Sequence, residues 1–405
     1  MNWLKNLGPG FLVTAAFIGP GTITTASKAG AEFGFALVWA LLFAVLATIV
    51  LQEMCARLGL VTRQGLGEAI RTTFKSPLAG GLTIALVILA IGVGNAAFET
   101  GNVIGAAAGL QSLTGIHQQV WAVVVGVGAL LLLACGAYKL LERVLIVLVV
   151  LMSVVFLVTA VIVRPDVGQV FAGAIPRAPA GSLLTIVALI GTTVVPYNLF
   201  LHASAAGEKW PESVPLDRAL MAARADASIS ISIGGLITLA VMSTAAATFF
   251  GTAVTFDNVG DMAGQLGPLF GSGAKYFFAT GLLAAGLTSA ITAPLAAAYA
   301  MAGVLGWKRD LRDMKLRLVW GTIVVIGSVL AALATKPVAA IVLAQAANGI
   351  LLPVVAVFLL VVMNRRDLLG QHTNGLFANL LGGGVVLIAT ALGGFQLLQA
   401  LGAFS

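Results

Sequence analysis

The amino-acid sequence predicts an all-α polytopic membrane protein, and three observations support this fold class. The 405 residues are 60% hydrophobic and only 9% charged, with a mean hydropathy of +1.05. Apolar segments long enough to cross a bilayer recur along the chain, and two of them are interrupted by proline at matching places. A soluble protein with a large core needs far more charge to cover its surface, so the composition excludes that class.

The apolar segments define the predicted domain organisation, since about 20 residues of helix cross the hydrocarbon core of a bilayer. By that measure residues 1–405 form a single transmembrane domain with eleven spans. The predicted spans cover about 9–31, 35–58, 79–110, 118–136, 140–163, 182–205, 222–250, 270–304, 317–335, 338–362 and 376–401.

Basic residues are distributed unequally between the two sets of loops that these spans define. The loops on the side of the N-terminus hold most of them, whereas the opposite loops hold only Arg164, Arg177, Lys275 and Lys336. Loops rich in Lys and Arg stay in the cytoplasm. We therefore predict a multi-pass protein of the cell (inner) membrane, with a cytoplasmic N-terminus and, after eleven spans, an external C-terminus.

The first span is interrupted at its centre by Gly19-Pro20-Gly21. Proline removes an amide donor and clashes with the carbonyl four residues back, and glycine loosens the backbone on either side. In hydrocarbon, a freed backbone group is tolerated only where it is buried in protein or lines a wet cavity. The interruption is therefore a candidate binding site; a simple proline kink is the alternative.

A second interruption lies in the sixth span, at Val195–Asn198. It matches Gly19–Thr22, because each segment has proline in second place and a small polar residue in fourth place. The two interruptions are five spans apart, and an odd number of spans inverts the orientation of a repeat. This pattern is typical of secondary transporters with inverted repeats and a substrate site near the middle of the membrane.

Further motifs surround the two breaks and extend over essentially the whole chain. They are Gly19–Thr22, Lys28–Gly34, Leu51–Gly59, Val195–His202, and Leu343–Gln345 with Pro353 eight residues on. These motifs resemble those of the NRAMP (natural resistance-associated macrophage protein) family of divalent-metal transporters. The resemblance implies the LeuT-type fold, with two inverted five-helix repeats over about 9–163 and 182–362. It also implies broken first and sixth helices and an additional eleventh helix over about 376–401.

The resemblance places the substrate site between the two broken helices. Its implied members are Ala16, Gly19, Gly21, Thr22, Thr192, Val195, Tyr197, Asn198 and Gln345. The family pattern has Asp and Asn where this chain has Gly19 and Thr22, and Met and His where it has Val195 and Tyr197. The chain therefore resembles a divergent member that lacks the usual metal-site aspartate and methionine.

These departures change what the predicted site can bind. A divalent cation needs oxygen, nitrogen or sulfur ligands, usually including an anion. Gly19 and Val195 offer no side-chain ligand. The remaining candidate metal ligands are the neutral side chains of Thr22, Asn198 and Gln345. Without the thioether we do not expect selection of transition metals, whereas Mg²⁺, which sheds water reluctantly, stays compatible with the site.

An organic solute is the alternative substrate. The N-termini of two half-helices with a glycine backbone can receive a carboxylate. Lys28 brings a positive charge toward the same vestibule, and Glu32, one helical turn further, can offset it. Proton- or sodium-coupled transport of a small solute such as an amino acid therefore stays open.

Ionisable residues inside predicted spans are functional candidates, because a charge is costly to bury in a membrane. The resemblance implies a proton route through Glu99, although Asn102 stands where the family has a second acid. Pairing of Glu99 with a nearby basic residue is the structural alternative. His202 is either a coupling residue or a hydrogen-bonded packing histidine. Asp226, in the seventh span, is a candidate for closing an inner gate or joining the coupling path.

The motifs that would indicate an enzyme or an ATP-driven pump do not occur in the sequence. It contains no H-E-x-x-H, no G-x-S-x-G and no G-x-x-x-x-G-K-[ST]. We therefore predict a secondary transporter that is not an enzyme and uses no cofactor. The expected partners are the transported cation or solute, the lipid bilayer and H⁺ as a coupling ion, with no nucleic acid.

Overall fold

The structure, a computed structural model, describes residues 8–74, 76–136, 138–252, 256, 258–310 and 312–402. These residues form helices, turns and bends, and none of them lies in a β-strand. The two chain termini, to which the predicted orientation refers, lie outside the described residues.

Fourteen α-helices of eight or more residues organise the described part of the chain. In the first half they are α1 (Pro9–Phe17), α2 (Pro20–Phe33), α3 (Val38–Thr62), α4 (Leu66–Thr73), α5 (Pro77–Thr114), α6 (Gln118–Cys135) and α7 (Tyr138–Val163). In the second half they are α8 (Leu183–Thr193), α9 (Pro196–Lys209), α10 (Leu216–Phe249), α11 (Ala274–Leu305), α12 (Met314–Leu333), α13 (Pro337–Met363) and α14 (Leu376–Ala400). An eight-residue 3₁₀ turn at Val259–Leu266 and several shorter helical turns lie between them.

These helices agree with the predicted spans. Among the described residues, ten helical segments are long and apolar enough to cross a membrane, and α1 with α2 makes an eleventh when the bent pair counts as one span. The third span is longer than the predicted 79–110, because helix α5 runs from Pro77 to Thr114. Helix α4 was not predicted, because its eight residues are too few to give a spanning signal.

Both predicted interruptions are present. Helices α1 and α2 meet at an angle of 59°, with Ile18 and Gly19 between them. Helices α8 and α9 are separated by Val194 and Val195. In each case proline is the first residue of the following helix, where its missing amide donor is not required.

The broken helices lie inside the bundle, enclosed by the longer ones. Helix α2 packs against α10, α8 against α13, and α9 against α3, while α5 and α11 pack along each other. Small residues permit this close packing, as is usual between membrane helices. A Cβ atom at Gly105 of α5 would lie only 2.2 Å from the Cβ atom of Pro20, so α5 reaches the first break because position 105 has no side chain.

Candidate functional site

The two interruptions are joined by a hydrogen bond between their side chains. The Oγ1 atom of Thr22 in α2 lies 2.8 Å from the Oγ1 atom of Thr192 in α8. The Thr22 hydroxyl also donates to the carbonyl oxygen of Phe17, at the end of α1. A hydroxyl has one hydrogen to donate and two lone pairs to accept with, so Thr192 donates to Thr22. Two of the three hydrogen-bonding positions of Thr22 are therefore already in use.

Asn198 and Gln345 present the opposite situation. They are only 1% and 0% exposed, yet neither the oxygen nor the nitrogen of either side-chain amide has a hydrogen-bond partner. Buried polar atoms nearly always have a partner. Two amides with all four polar atoms unpartnered therefore indicate a place where a ligand or its water enters.

Glycine residues on three helices make room for Gln345. A Cβ atom at Gly21 of α2 would lie 2.3 Å from its Nε2 atom, and one at Gly101 of α5 would lie 3.3 Å from the same atom. A Cβ atom at Gly191 of α8 would lie 2.0 Å from the Gln345 carbonyl oxygen. Gly21 and Gln345 were predicted as site residues from the sequence. Gly101 and Gly191 were not, because their contact with Gln345 depends on how α5 and α8 pack around α13.

The position of Gly19 is open except on one side. A Cβ atom there would approach only the Oγ atom of Ser289 in α11, at 3.2 Å. Ser289 was not predicted as a site residue, because nothing in its surrounding sequence marks it. Ala16, also implied by the resemblance, lies half-buried in the last turn of α1.

The residues that replace the usual methionine and histidine are both buried. Val195 is 1% exposed and Tyr197 is 2% exposed. The Tyr197 ring packs edge-on against Phe98 of α5, with 5.8 Å between ring centroids. This contact places Tyr197 in the packing between α9 and α5.

Glu99 lies in the same region and is completely buried. Its Oε2 atom accepts a hydrogen bond of 3.2 Å from the Nδ2 atom of Asn102, while its Oε1 atom has no partner. Its neighbour in sequence, Phe98, forms the ring contact with Tyr197. Among the described residues no salt bridge joins Glu99 to a basic side chain, so the pairing considered as the structural alternative is not observed.

His202, one turn beyond Asn198 on α9, contacts Gln52, which lies in the Leu51–Gly59 motif but was not predicted as a site residue. Its Nδ1 atom lies 2.7 Å from the Oε1 atom of Gln52 in α3. Because an amide oxygen only accepts, Nδ1 carries the hydrogen of the neutral ring. The Nε2 atom is then an acceptor, and it is buried without a partner.

Asp226 connects helix α10 to the start of helix α1. Its Oδ2 atom accepts a hydrogen bond of 2.6 Å from the backbone N–H of Gly10. A Cβ atom at Gly8 would lie about 2.1 Å from the carboxylate, so the chain passes directly over it. A carboxylate at a helix N-terminus is also favoured by the helix dipole. Asp226 therefore anchors the first half-helix rather than facing Asn198 or Gln345.

Beyond the site, the far part of α2 is covered by the 3₁₀ turn Val259–Leu266. Gln265 of this turn is fully buried, and its Nε2 atom donates to the Oγ atom of Ser27 at 2.9 Å. Lys28, the next residue along α2, forms an ion pair with Glu32, and both side chains are partly exposed. The charge of Lys28 is thus compensated locally, as the spacing of four residues indicates.

The site has few groups that hold a metal tightly. Among the described residues, no group of three or more His, Cys, Asp and Glu side chains could hold a metal ion. The groups that meet at the breaks are amides, hydroxyls and backbone carbonyls, with one carboxylate, that of Glu99, nearby. Such oxygen ligands suit hard cations and their bound water rather than soft metals.

The broken helices around a buried polar site define a multi-pass membrane transporter. The family model described as "Natural resistance-associated macrophage protein-like" matches residues 10–399, and the chain belongs to that family. This confirms the resemblance noted in the sequence, and the predictions of a transporter and not an enzyme agree with it.

Two curated relatives illustrate the similarity. The chain is 32% identical to the divalent metal cation transporter MntH of Deinococcus radiodurans, over 98% of this chain and 91% of that protein. It is 30% identical to the protein of the same name from a Nostoc species, over 98% of this chain and 92% of that protein.

Solved structures confirm the LeuT-type fold class. A point mutant of the Eremococcus coleocola manganese transporter has a TM-score of 0.76 at 25% identity, covering 95% of this chain and 84% of that one. The nucleobase-cation-symport-1 family transporter Mhp1 has a TM-score of 0.57 at 17% identity, covering 98% of this chain and 94% of that one. The second likeness concerns the fold alone.

Proposed function

We propose that this protein is a secondary active transporter of a divalent cation, which it binds with part of the hydration shell retained, and that it takes Mg²⁺ and does not select transition metals. The observation that carries the proposal is the pair of buried, unpartnered amides of Asn198 and Gln345 at the two breaks. Membership of the family supports a cation as substrate, since relatives are named as divalent metal and manganese transporters.

The chemistry of the available groups supports Mg²⁺ as a substrate. This ion requires a near-octahedral set of oxygen ligands and usually keeps several of its waters in a protein site. The Oδ1 atom of Asn198 and the Oε1 atom of Gln345 can accept hydrogen bonds from such waters or bind the ion directly. Val195 stands where a methionine would favour a soft metal.

The charge of the cation needs a counter-charge, and Glu99 is suited to supply it. Among the described residues it is the only acidic one in the buried interior. Coulomb's law gives an attraction of roughly 4 kcal/mol between a divalent cation and a carboxylate about 8 Å away at an effective dielectric constant of 20. We propose that Glu99 compensates the charge from a distance of this order, without being a direct ligand.

The same carboxylate provides a route for coupling to H⁺. The Oε1 atom of Glu99 has no partner and can hold a proton when the cation is absent. The Nε2 atom of His202 is a second buried acceptor on the neighbouring half-helix. In this proposal Glu99 takes up H⁺ when the cation is absent. The excess of basic residues in one set of loops supports a cytoplasmic N-terminus.

A small organic solute is the second candidate substrate. Helix α2 begins at Pro20 and helix α9 at Pro196, so the N-terminal ends of two helices lie at the breaks. Such ends favour negative charge, and broken helices in transporters use them to bind carboxylates. An amino acid would bind there through its carboxylate, with Asn198 and Gln345 as hydrogen-bond partners.

Uptake into proteoliposomes distinguishes these substrates. Purified protein is reconstituted, and the entry of Mg²⁺ and Mn²⁺ is followed with fluorescent indicators, with and without a pH gradient. We expect Mg²⁺ uptake that protein-free vesicles lack and that responds to the gradient. Uptake of Mn²⁺ with no uptake of Mg²⁺ would overturn the proposed selectivity. Failure of both metals, together with thermal stabilisation by an amino acid, would establish the second candidate instead.

A further inference from the structure

A groove of about 380 Å³ lies between α5, α11 and α12, on the outer surface of the bundle. Its walls are apolar and include Ala96 of α5 and Ile323 and Ile326 of α12. Ile326 is 43% exposed, so this wall faces the lipid of a membrane-spanning protein. The groove has no lining residue in common with the site at the two breaks.

One end of the groove carries a basic and an aromatic side chain. The Nζ atom of Lys315 lies 5.4 Å from the centroid of the Trp307 ring, which is a cation–π distance. The carboxylate of Asp313 is used as a helix cap, because its Oδ1 atom accepts from the backbone N–H of Lys315 at 2.9 Å. Among the described residues no carboxylate forms an ion pair with Lys315.

The segment that carries Lys315 is basic as a whole. Between Trp307 and Arg317 it contains Lys308, Arg309, Arg312, Lys315 and Arg317 against Asp310 and Asp313. Tryptophan is typical of the interface between the membrane and water, and basic pockets between membrane helices bind anionic lipid head groups. The charged end of the groove therefore lies at head-group level.

We propose that this groove binds one anionic phospholipid, with an acyl chain along Ala96, Ile323 and Ile326 and the phosphate at Lys315. The volume is sufficient for roughly a dozen methylene-sized groups, since even a water molecule takes about 30 Å³. A zwitterionic head group such as phosphatidylcholine also carries a phosphate, but its choline cation would lie among the basic residues of this segment, so the net-anionic lipid is favoured. A second copy of the chain, related by a two-fold axis at this surface, would bring its basic segment against the first. The two segments would repel each other, so a second copy does not suit this groove.

Native mass spectrometry of the detergent-purified full-length protein tests this proposal. The protein is incubated with phosphatidylglycerol or phosphatidylcholine of the same acyl composition, and the bound lipid is counted. We expect one phosphatidylglycerol that resists removal by collisional activation. Lys315→Gln weakens its retention about fivefold, because one Lys near a membrane surface contributes about 1 kcal/mol to binding of anionic lipid.

Two further variants make the result specific to the groove. Thr322 is exposed on its wall, so Thr322→Trp fills the groove without disturbing the core, and we expect it to weaken retention as well. Lys275→Gln removes an exposed charge at the opposite end of α11, and we expect no change. Equal retention of the two lipids, or equal losses in the Lys315 and Lys275 variants, would overturn the proposal.

Discussion

The hydroxyl groups of Thr22 and Thr192 lie 2.8 Å apart and connect the two interrupted helices directly at their breaks. Thr22 stands where the family pattern has an asparagine, so a position associated with metal binding forms a structural contact here. The amides of Asn198 and Gln345, by contrast, have no hydrogen-bond partner. The two broken helices are therefore joined by a structural pair, while two open amides remain for a ligand.

Thr22→Val should destabilise the protein by about 1–2 kcal/mol, because the Phe17 carbonyl and the Thr192 hydroxyl both lose a partner. Valine has nearly the same shape, so packing is preserved. Thr193→Val is the matched control, since that hydroxyl donates only within α8, to the Leu189 carbonyl at 2.9 Å. Thermal unfolding in detergent compares the two variants. Equal decreases in Tm would show that the contact between the helices contributes nothing.

Glu99→Gln should weaken Mg²⁺ binding at least about tenfold, since the lost Coulomb attraction exceeds the roughly 1.4 kcal/mol that a tenfold change requires. It should also abolish the response of uptake to a pH gradient, because glutamine cannot exchange a proton. Asp166→Asn is the control, since Asp166 is exposed and caps a short helix far along the chain. Unchanged affinity in the Glu99 variant would remove this residue from the proposed site.

Gly21→Ala should displace the Gln345 amide, because the added methyl group would lie 2.3 Å from its Nε2 atom. We expect weaker cation binding at a modest loss of stability. Gly383→Ala in α14 adds the same group where no atom lies within 4 Å, and we expect no change there. Titration calorimetry of both variants checks this. If Gly21→Ala binds as the unmodified protein does, Gln345 does not take part in binding.

The triple variant Gly19→Asp, Thr22→Asn, Val195→Met should gain affinity for Mn²⁺ by about tenfold or more, because an anionic oxygen ligand and a thioether enter the site. Position 19 has room, since its Cβ atom would meet only Ser289 Oγ, at 3.2 Å. The double variant Thr22→Asn, Val195→Met is the control, because it loses the Thr22 hydrogen bonds without gaining the aspartate. No gain in the triple variant would contradict the correspondence of these positions with the metal site of the family.

Asp226→Ala should loosen the first half-helix, because the Gly10 N–H loses an acceptor at 2.6 Å. A hydrogen bond to a charged group contributes about 1.5–3 kcal/mol, so opening of this helix should become at least about tenfold more frequent. Hydrogen exchange of peptides from α1, followed by mass spectrometry, reports the opening. Asp217→Ala, an exposed change at the start of α10, serves as the control. The same exchange rate in both variants would argue against the anchor.

The number of spans and the two breaks follow from the sequence, because both depend on local properties. A run of about 20 apolar residues has few alternatives to a membrane helix, and proline within such a run interrupts it. The unexpected length of α5 and the presence of α4 depend on how the loops fold at the ends of the bundle. Contacts between distant loops cannot be predicted from the pattern of a single sequence.

The site was predicted in part, and the omissions have a common cause. Gln345 and Asn198 were recognisable by their motifs. Ser289 and Gln265 lie in no motif, and Gln52 lies in the Leu51–Gly59 motif but was not predicted as a site residue. Gln265 meets Ser27 across 238 residues of sequence, and only the packing of the bundle reveals that contact. The role of Thr22 as a contact between helices likewise depends on where α8 ends.

Isothermal titration calorimetry of the purified protein with MgCl₂ and MnCl₂ is the measurement that tests the proposed function most directly. We expect saturable binding of Mg²⁺, with an Mn²⁺ affinity within about tenfold of it, because a site of neutral oxygen ligands and retained water discriminates poorly between these ions. Tight binding of Mn²⁺ with no detectable binding of Mg²⁺ would contradict it.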